Sequence, residues 1–364
     1  MTSVILNGRH VRLQSDMAIG KGGEADIFKL DATTVLKLYK QPSDPDYIGN
    51  VAAQLGAKAR ITEHQFKLPA FPGRMPSEVV APTTLAYNTT GDKVIGYTMP
   101  YVDGMEVLMR LSDRQYREIG GIDANQVVAI FRQLHQTVAA LHAQRVVIGD
   151  FNDLNVLVND KAIRIVDADS MQFGRFQCHT FTNRFVDPLR CDTKTLTLDR
   201  PHNEQSDWYA YFIMLLHSLL YVGPYGGVHR PKNGKRLQFD ARVLARLTVM
   251  NDSVIYPKPA MPLQTLPDEV LGYMQSVFEQ DKREVFPLHL LDGLRWTTCA
   301  TCGFTHARSV CPSCSAPGAP TQTVTIRGTV TARRLFQTKG RLLHVVSQAG
   351  KLHYLYHENG AFPP

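Results

Sequence analysis

The chain has 364 residues and a net charge of +7, from 40 lysines and arginines against 33 aspartates and glutamates, with 44% hydrophobic and 20% charged residues. This is the composition of a globular protein with ample core and room for two or three domains, and it argues against a disordered chain. The longest apolar run, residues 208–222, is interrupted by His217 and Ser218 and is short for a bilayer, so a buried helix is expected there and no membrane partner. Residues 1–12 lack the apolar core of a signal peptide. The surplus positive charge suits an anionic ligand or surface and leaves nucleic acid open as a partner.

Short strands are expected at residues 4–6 and 10–13, around the turn Asn7-Gly8. Next comes Ile19-Gly20-Lys21-Gly22-Gly23-Glu24-Ala25-Asp26-Ile27. Its glycines let the backbone approach phosphate oxygens and donate N–H groups to them. Taken alone, the stretch is equally a plain hairpin turn. Residues 34–39 alternate as a strand that puts Lys37 on the same face as Val35. A lysine on an inward face wants an anion, unless it snorkels at the strand edge.

A helix is expected over residues 46–66, and strands over 79–87 and 94–99. The second of these strands runs into Met99-Pro100-Tyr101-Val102-Asp103-Gly104. Residues 123–145 predict a strong helix. Asp123 can cap it, and Val127, Ile130, Phe131, Leu134, Val138 and Leu141 form an inward stripe. His135 and His142 on that helix read as packing residues.

The helix delivers the chain to Ile148-Gly149-Asp150-Phe151-Asn152-Asp153-Leu154-Asn155. Two short strands follow, residues 156–158 and 163–166, flanking the turn Asn159-Asp160-Lys161-Ala162 as a hairpin. Asp150 and Asn155 precede the first strand and Asp167 follows the second. A hairpin brings its open ends together, so these three side chains can converge on a hard divalent cation such as Mg²⁺. The alternative is a surface hairpin with solvated acids.

Residues 172–202 are polar and irregular, and a loop of that length in a compact domain is usually functional. Thr180, Thr182, Thr193, Thr195 and Thr197 within it are candidate phosphoacceptors. Asp207 then opens the apolar helix through Leu220, and another amphipathic helix spans residues 266–280, with Arg283 after it. Cys299-x-x-Cys302 and Cys311-x-x-Cys314 have the spacing of a four-thiolate structural Zn²⁺ site with no open position, and His306 is superfluous to it. Such thiols favour a reducing compartment, hence cytoplasm, and leave Cys178 and Cys191 unpaired. From Thr321 an alternating pattern predicts a β-meander of three or four strands, either the opening of a domain cut from a longer protein or a sheet that packs on the ribbon or on another subunit.

In order and spacing, the parts from Ile19 to Arg283 resemble the protein kinases, and their variant spellings resemble a divergent bacterial branch of eukaryotic-like (Hanks-type) Ser/Thr kinases. The resemblance implies an α+β, bilobal kinase-like fold: N-lobe 1–100, C-lobe 101–293, zinc ribbon 294–318 and β-meander 320–364. It implies that Gly20, Gly22, Gly23 and Ile27 cover a nucleotide, and that Lys37 holds the α/β-phosphates of ATP. Met99 would be the gatekeeper, with the backbone of Pro100, Tyr101 and Val102 at the adenine. Asp150 would receive the proton of a protein substrate's hydroxyl, and Asn155 and Asp167, with Asp169 as a further ligand, would hold Mg²⁺ or Mn²⁺. Asp207 would tie to the catalytic loop, and Arg184-Phe185-Val186-Asp187-Pro188 stands near the Ala-Pro-Glu position. Branch members with a zinc ribbon are encoded beside a von Willebrand A protein and a metal-dependent phosphatase, which makes both candidate partners.

Four departures stand out. No glutamate lies between Lys37 and Thr62 to pair with the lysine; Glu63 comes late and Gln54 sits nearer the usual place. Gly149 replaces the arginine before the catalytic aspartate, which points to an activation segment ordered without phosphate. Asn152 replaces the catalytic-loop lysine, and Asp169 replaces a glycine. Slow transfer is one consequence, and three rival readings stay open: a nucleotide-binding pseudokinase, a nucleic-acid module led by the ribbon, and a kinase fold that transfers a nucleotide.

Overall fold

The computed structural model describes residues 2–160, 162–314, 335–348, 351–358 and 360–362. It divides into two units, Met1–Ala316 and Pro317–Pro364.

The first unit begins with β1 (Thr2–Leu6), β2 (Arg9–Leu13), β3 (Ala18–Lys21), β4 (Ala25–Lys29) and β5 (Thr34–Tyr39). Helix α1 (Val51–Lys67) follows, then β6 (Thr84–Tyr87) and β7 (Val94–Pro100). The seven strands form one antiparallel sheet in the order β2-β1-β6-β7-β5-β4-β3. Alternation along β5 sends Leu36 into the core with Val4, Leu13 and Ala86, and Tyr39 to the opposite face with Tyr97, Ala25 and Leu68.

Helix α1 starts later than the pattern over residues 46–66 predicts. Residues Pro45–Tyr47 form a separate 3₁₀ turn, Gly49 takes φ +77°, and the Asn50 side chain caps the helix by accepting from Ala53 N–H at 3.0 Å. The expected strand over 79–87 is also shorter, for Pro82 lacks the N–H a ladder needs. Residues before it turn away to bond elsewhere: Val80 N–H donates to Ile165 C=O and Ile165 N–H to Glu78 C=O, both at 2.8 Å.

After β8 (Glu106–Val107) and α2 (Arg114–Gly120) comes α3 (Ala124–Ala143), with Asp123 and Gln126 capping each other's backbone. Then follow β9 (Val146–Val147), β10 (Val156–Val158), β11 (Ile163–Ile165) and β12 (Gln172–Phe173). The predicted hairpin is present: β10 pairs with β11 as Val156↔Ile165, Leu157↔Arg164 and Val158↔Ile163. Helix α4 (Glu204–Leu220) is buried on nearly all sides. Tyr211 and Phe212 on it meet Phe131 and Phe286 at ring separations of 5.1–5.4 Å. Burying each such ring contributes about 1.5–3 kcal/mol. The chain continues through β13 (Val228–His229), α5 (Phe239–Leu244), β14 (Val254–Ile255), α6 (Asp268–Phe278) and α7 (Leu288–Asp292). The unit ends in a small two-stranded element, β15 (Thr297–Thr298) with β16 (Thr305–His306).

In the second unit β17 (Arg341–Gln348) and β18 (Lys351–His357) pair antiparallel. These are the last two runs of the expected meander; its earlier part, at Val324, Ile326 and Val330, lies outside the described residues. Among the described residues no helix is long and apolar enough to cross a membrane.

Candidate active site

Lys37 leaves β5 toward the hairpin end. Its Nζ donates to Asp167 Oδ1 at 2.5 Å and Asp169 Oδ1 at 2.7 Å. Burial alone would push this ammonium's pKa down, but Asp169, Tyr97 and Asp167 outweigh it and hold the group well above the usual lysine range. Asp169, 3% exposed, also accepts from Tyr97 Oη on Oδ1 and Tyr39 Oη on Oδ2, each at 2.7 Å. Burial would raise its carboxyl; Lys37 and His64 reverse that and hold it well below the usual carboxylate range. Three donors thus engage the two oxygens of Asp169, the residue the sequence offered as a further metal ligand. Asp167 differs, being more open to the cleft, with φ +62° in the left-handed region and its carbonyl held by Ser170 N–H and Oγ. Such strain in a non-glycine residue tends to sit at functional sites.

Asp150 is positioned by backbone anchoring of its own loop. The fully buried Asp207 carboxylate accepts from Ile148 N–H at 2.8 Å and Gly149 N–H at 2.9 Å, and bonds His142 Nε2 at 2.8 Å. Asp150 Oδ1 accepts from Thr182 Oγ1 at 2.9 Å and Asn152 Nδ2 at 3.0 Å. Asn155 Nδ2 donates to Asp150 C=O at 3.1 Å, which leaves its oxygen as the end available to a cation. An amide oxygen and a half-exposed carboxylate fit a hard divalent ion that keeps several waters.

The segment after the hairpin closes over this loop. Gly149 sits at φ +82°, and a Cβ there would lie 2.6 Å from Cys178 Cβ and 2.7 Å from Cys178 Sγ. The place an arginine side chain would leave from is thus filled by Cys178, while His202 Nε2 bonds Thr180 C=O at 2.9 Å. Farther on, Asp187 takes a two-bond fork from Arg283, both bonds 2.8 Å, in a buried site. Gly149→Ala is expected to cost about 2–4 kcal/mol, from positive φ plus overpacking. Urea unfolding checks this, and a change below about 0.5 kcal/mol would contradict it.

Lys37, Asp150, Asn155 and Asp167 line one cleft of about 1710 Å³, together with Gly20, Gly22, Gly23, Ile27, Met99 and Asp169. Pro100, Tyr101 and Val102 do not line it; Tyr101 N–H is bonded to Thr33 C=O at 2.7 Å, and the Tyr101 ring lies under Lys29. The sequence reading missed Tyr39 and Tyr97, and took Thr182 as a phosphoacceptor rather than as a partner of Asp150. Tyr39 was within reach, since it shares the Lys37 face two residues on. Tyr97 faces Lys37 only through the β5–β7 register, and Thr182 reaches Asp150 only by tertiary folding.

His64 on α1 packs its ring against Tyr39, centroids 4.6 Å apart and tilted by 38°, and is buried. Burial, with Lys67, Lys37 and Arg60 in support and Asp169 opposing, pushes its imidazole down to about 4. Below about pH 6.5 the unfolded chain protonates this group while the folded one does not. Stability is therefore lost as pH falls from about 6.5 toward 4, by about 3 kcal/mol in total. Urea unfolding at a series of pH values should show a shallower acid slope in His64→Phe; equal slopes would contradict it.

The four cysteines form a separate centre. Cys299 Sγ lies 3.8 Å from Cys314 Sγ and Cys302 Sγ 3.6 Å from Cys311 Sγ, all four within 4.8 Å of one another. A tetrahedron with Zn–S bonds of about 2.3 Å has edges of roughly 3.8 Å, close to the two shorter separations, so the set could hold zinc. Backbone N–H groups of Cys302 and Thr301 pull the Cys299 thiol down to about 6, which favours the thiolate a metal needs. His306 turns away, its Nδ1 accepting from Arg308 N–H at 3.2 Å. Arg308 and Ala307 fasten this element to the carbonyls of Gln264 and Thr265, at 2.7 and 2.8 Å.

No protein-family model matches the sequence. Two curated proteins do, each called "Protein kinase YegI", from Escherichia coli strain K12 and Escherichia coli O157:H7. Each is 23% identical, over 285 and 286 residues, covering 72% of this chain and 40% and 41% of theirs. The chain is a distant homologue of a bacterial protein kinase. It spans about two fifths of the length of these relatives. The mixed α/β fold, with its curled sheet and its cysteine cluster near the C-terminal end of the first unit, is compatible with a kinase-like architecture.

Proposed function

We propose that the chain is an ATP- and Mg²⁺-dependent kinase that transfers the γ-phosphoryl group to serine or threonine hydroxyls of a protein, its own included. The observation that supports this most is the convergence of Lys37, Asp150, Asn155 and Asp167, from three separate stretches of sequence, on one cleft beside the glycine loop. Lys37 and the backbone of Gly20, Gly22 and Gly23 hold phosphate oxygens. Met99, which lines the cleft, faces the base. Asn155 and Asp167 hold Mg²⁺ or Mn²⁺, which when bound supplies neutralisation of the phosphate oxygens. Asp150 takes the proton from the acceptor hydroxyl as its oxygen bonds the γ-phosphorus, the bond to the β-phosphate oxygen breaks, and ADP leaves.

Asn152 donates to Asp150 but carries no charge, so the transferring group lacks a cation there and slow turnover follows. That same observation favours a second reading, a pseudokinase that binds nucleotide without turnover. The lobe boundaries near residues 100 and 293, structural Zn²⁺ on Cys299, Cys302, Cys311 and Cys314, and a reducing, cytoplasmic setting belong to the first reading. Partnership with a von Willebrand A protein and a metal-dependent phosphatase rests on the resemblance alone.

The test is incubation of the purified chain with Mg²⁺ and ATP labelled at either the γ- or the α-phosphorus. Phosphoserine or phosphothreonine labelled from the γ-position is expected. Label from the α-position would mean nucleotide transfer, and nucleotide binding without label would favour the second reading.

A further inference from the structure

The lysine that faces the cleft has its acidic partners on the hairpin side. Both carboxylates at Lys37 Nζ, Asp167 and Asp169, come from the segment that follows β11. Helix α1 offers the His64 ring, which rests on Tyr39 rather than on the lysine. Glu63, one residue earlier, exerts its charge on Lys67. The two carboxylates are not equivalent. Asp167 is the more exposed, with a side chain 37% accessible, and opens on the cleft beside Asn155. Asp169 is closed off: Lys37 and Tyr97 occupy one oxygen and Tyr39 the other.

The donors around Asp169 all stand on the sheet. Tyr39 follows Lys37 by two residues on the same strand face, and Tyr97 lies directly across from Lys37 in the β5–β7 register. Two phenol hydroxyls therefore fix both oxygens of one carboxylate, and the ammonium binds a rigidly oriented anion. A cation on Asp167 would draw that carboxylate's charge away from Lys37, whereas both oxygens of Asp169 already accept hydrogen bonds from the sheet.

We propose that Asp169 is a positioning residue, the dedicated counter-ion that orients Lys37 toward nucleotide phosphates, and that it leaves Asp167 to the metal. It rests on the kinase reading. A second consequence concerns regulation. Where the lysine's partner lies on a mobile helix, movement of that helix breaks the pair and switches the site off. Here the pair is internal to the sheet and the hairpin segment, so the lysine stays poised whatever position α1 takes.

The test is a double-mutant cycle on the full chain, read as Mg·ATP affinity and transfer rate. Alone, Asp169→Asn is expected to raise the ATP KM or lower kcat by at least about tenfold. Added to Lys37→Met, it should cost less than about twofold more, because its target is already gone. Glu63→Gln should stay within about twofold of the parent. The milder Tyr97→Phe, which removes one hydroxyl, should move the same parameter in the same direction, and circular dichroism checks that each variant is folded.

Additive losses from Lys37→Met and Asp169→Asn would overturn the proposal. So would a large loss in Glu63→Gln, or a tenfold rise in half-saturating Mg²⁺ for Asp169→Asn, which would mark a metal ligand. A parent chain that neither binds nucleotide nor transfers phosphate would remove the kinase reading and the proposal with it. Transfer by the parent with an additive cycle would remove the proposal alone.

Discussion

On the proposed kinase reading, Asp150→Ala is expected to lower phosphoryl transfer by about 10²–10⁴-fold, the usual contribution of a positioned general base, while Mg·ATP affinity stays within about twofold. Asp150 sits at the mouth of the hairpin, and its Oδ1 already holds a hydroxyl, that of Thr182, at 2.9 Å. A serine or threonine of a substrate presents the same group. None of the phosphate-holding atoms depends on the Asp150 side chain: Lys37 is fixed by Asp167 and Asp169, and Asn155 reaches the Asp150 carbonyl, which alanine retains. The loss therefore falls on the chemical step. Initial rates with labelled ATP, set beside nucleotide affinity by fluorescence, check it. A variant as fast as the parent would take Asp150 out of the mechanism, and a variant that loses nucleotide affinity in proportion would make it a binding residue.

Asp207→Ala should destabilise the fold by about 3–5 kcal/mol, because it strips a buried carboxylate from three partners at once. The side chain is fully buried at the start of α4 and bonds the amides of Ile148 and Gly149 and the ring of His142. Alanine leaves those two amides unpaired where water cannot reach. Asp207→Asn, which can accept but carries no charge, should fall between parent and alanine. The loss appears as a lower urea midpoint with an unchanged slope, since the surface exposed on unfolding is the same. A change below about 1 kcal/mol would mean that the loop before Asp150 does not need this anchor. The two replacements separate function from fold: the first silences transfer in a stable protein, the second weakens the frame that presents Asp150.

Where pattern is local, the sequence was enough. The hairpin of residues 156–165 announced itself by two apolar runs around a polar turn, α3 by its cap and stripe, and the cysteine cluster by its spacing. The convergence of Asp150, Asn155 and Asp167 followed from hairpin geometry alone. What stayed hidden depends on pairings between distant segments. Tyr97 reaches Asp169 only because β7 lies beside β5 in one register, and a shift of one residue would turn it to the other face. Asp169 read as a metal ligand because an acid beside a metal-binding acid is the simplest inference from sequence. Nothing in the sequence indicated that two tyrosines would bond it as well. Likewise Gly149 was legible as a missing arginine, but not as a position whose space Cys178 fills. The helix boundary at Asn50 and the shortened β6 were lost to a glycine turn and a proline that act against otherwise plausible patterns.

The claim on which everything else depends is that this cleft moves a phosphoryl group from ATP to a hydroxyl. Intact-mass spectrometry of the parent chain and of Asp150→Ala, before and after Mg·ATP, addresses it directly. Mass added to the parent in steps of one phosphoryl group, on serine or threonine and absent from Asp150→Ala, is the expected result. No added mass in either protein, or steps the size of a nucleotide, would contradict it.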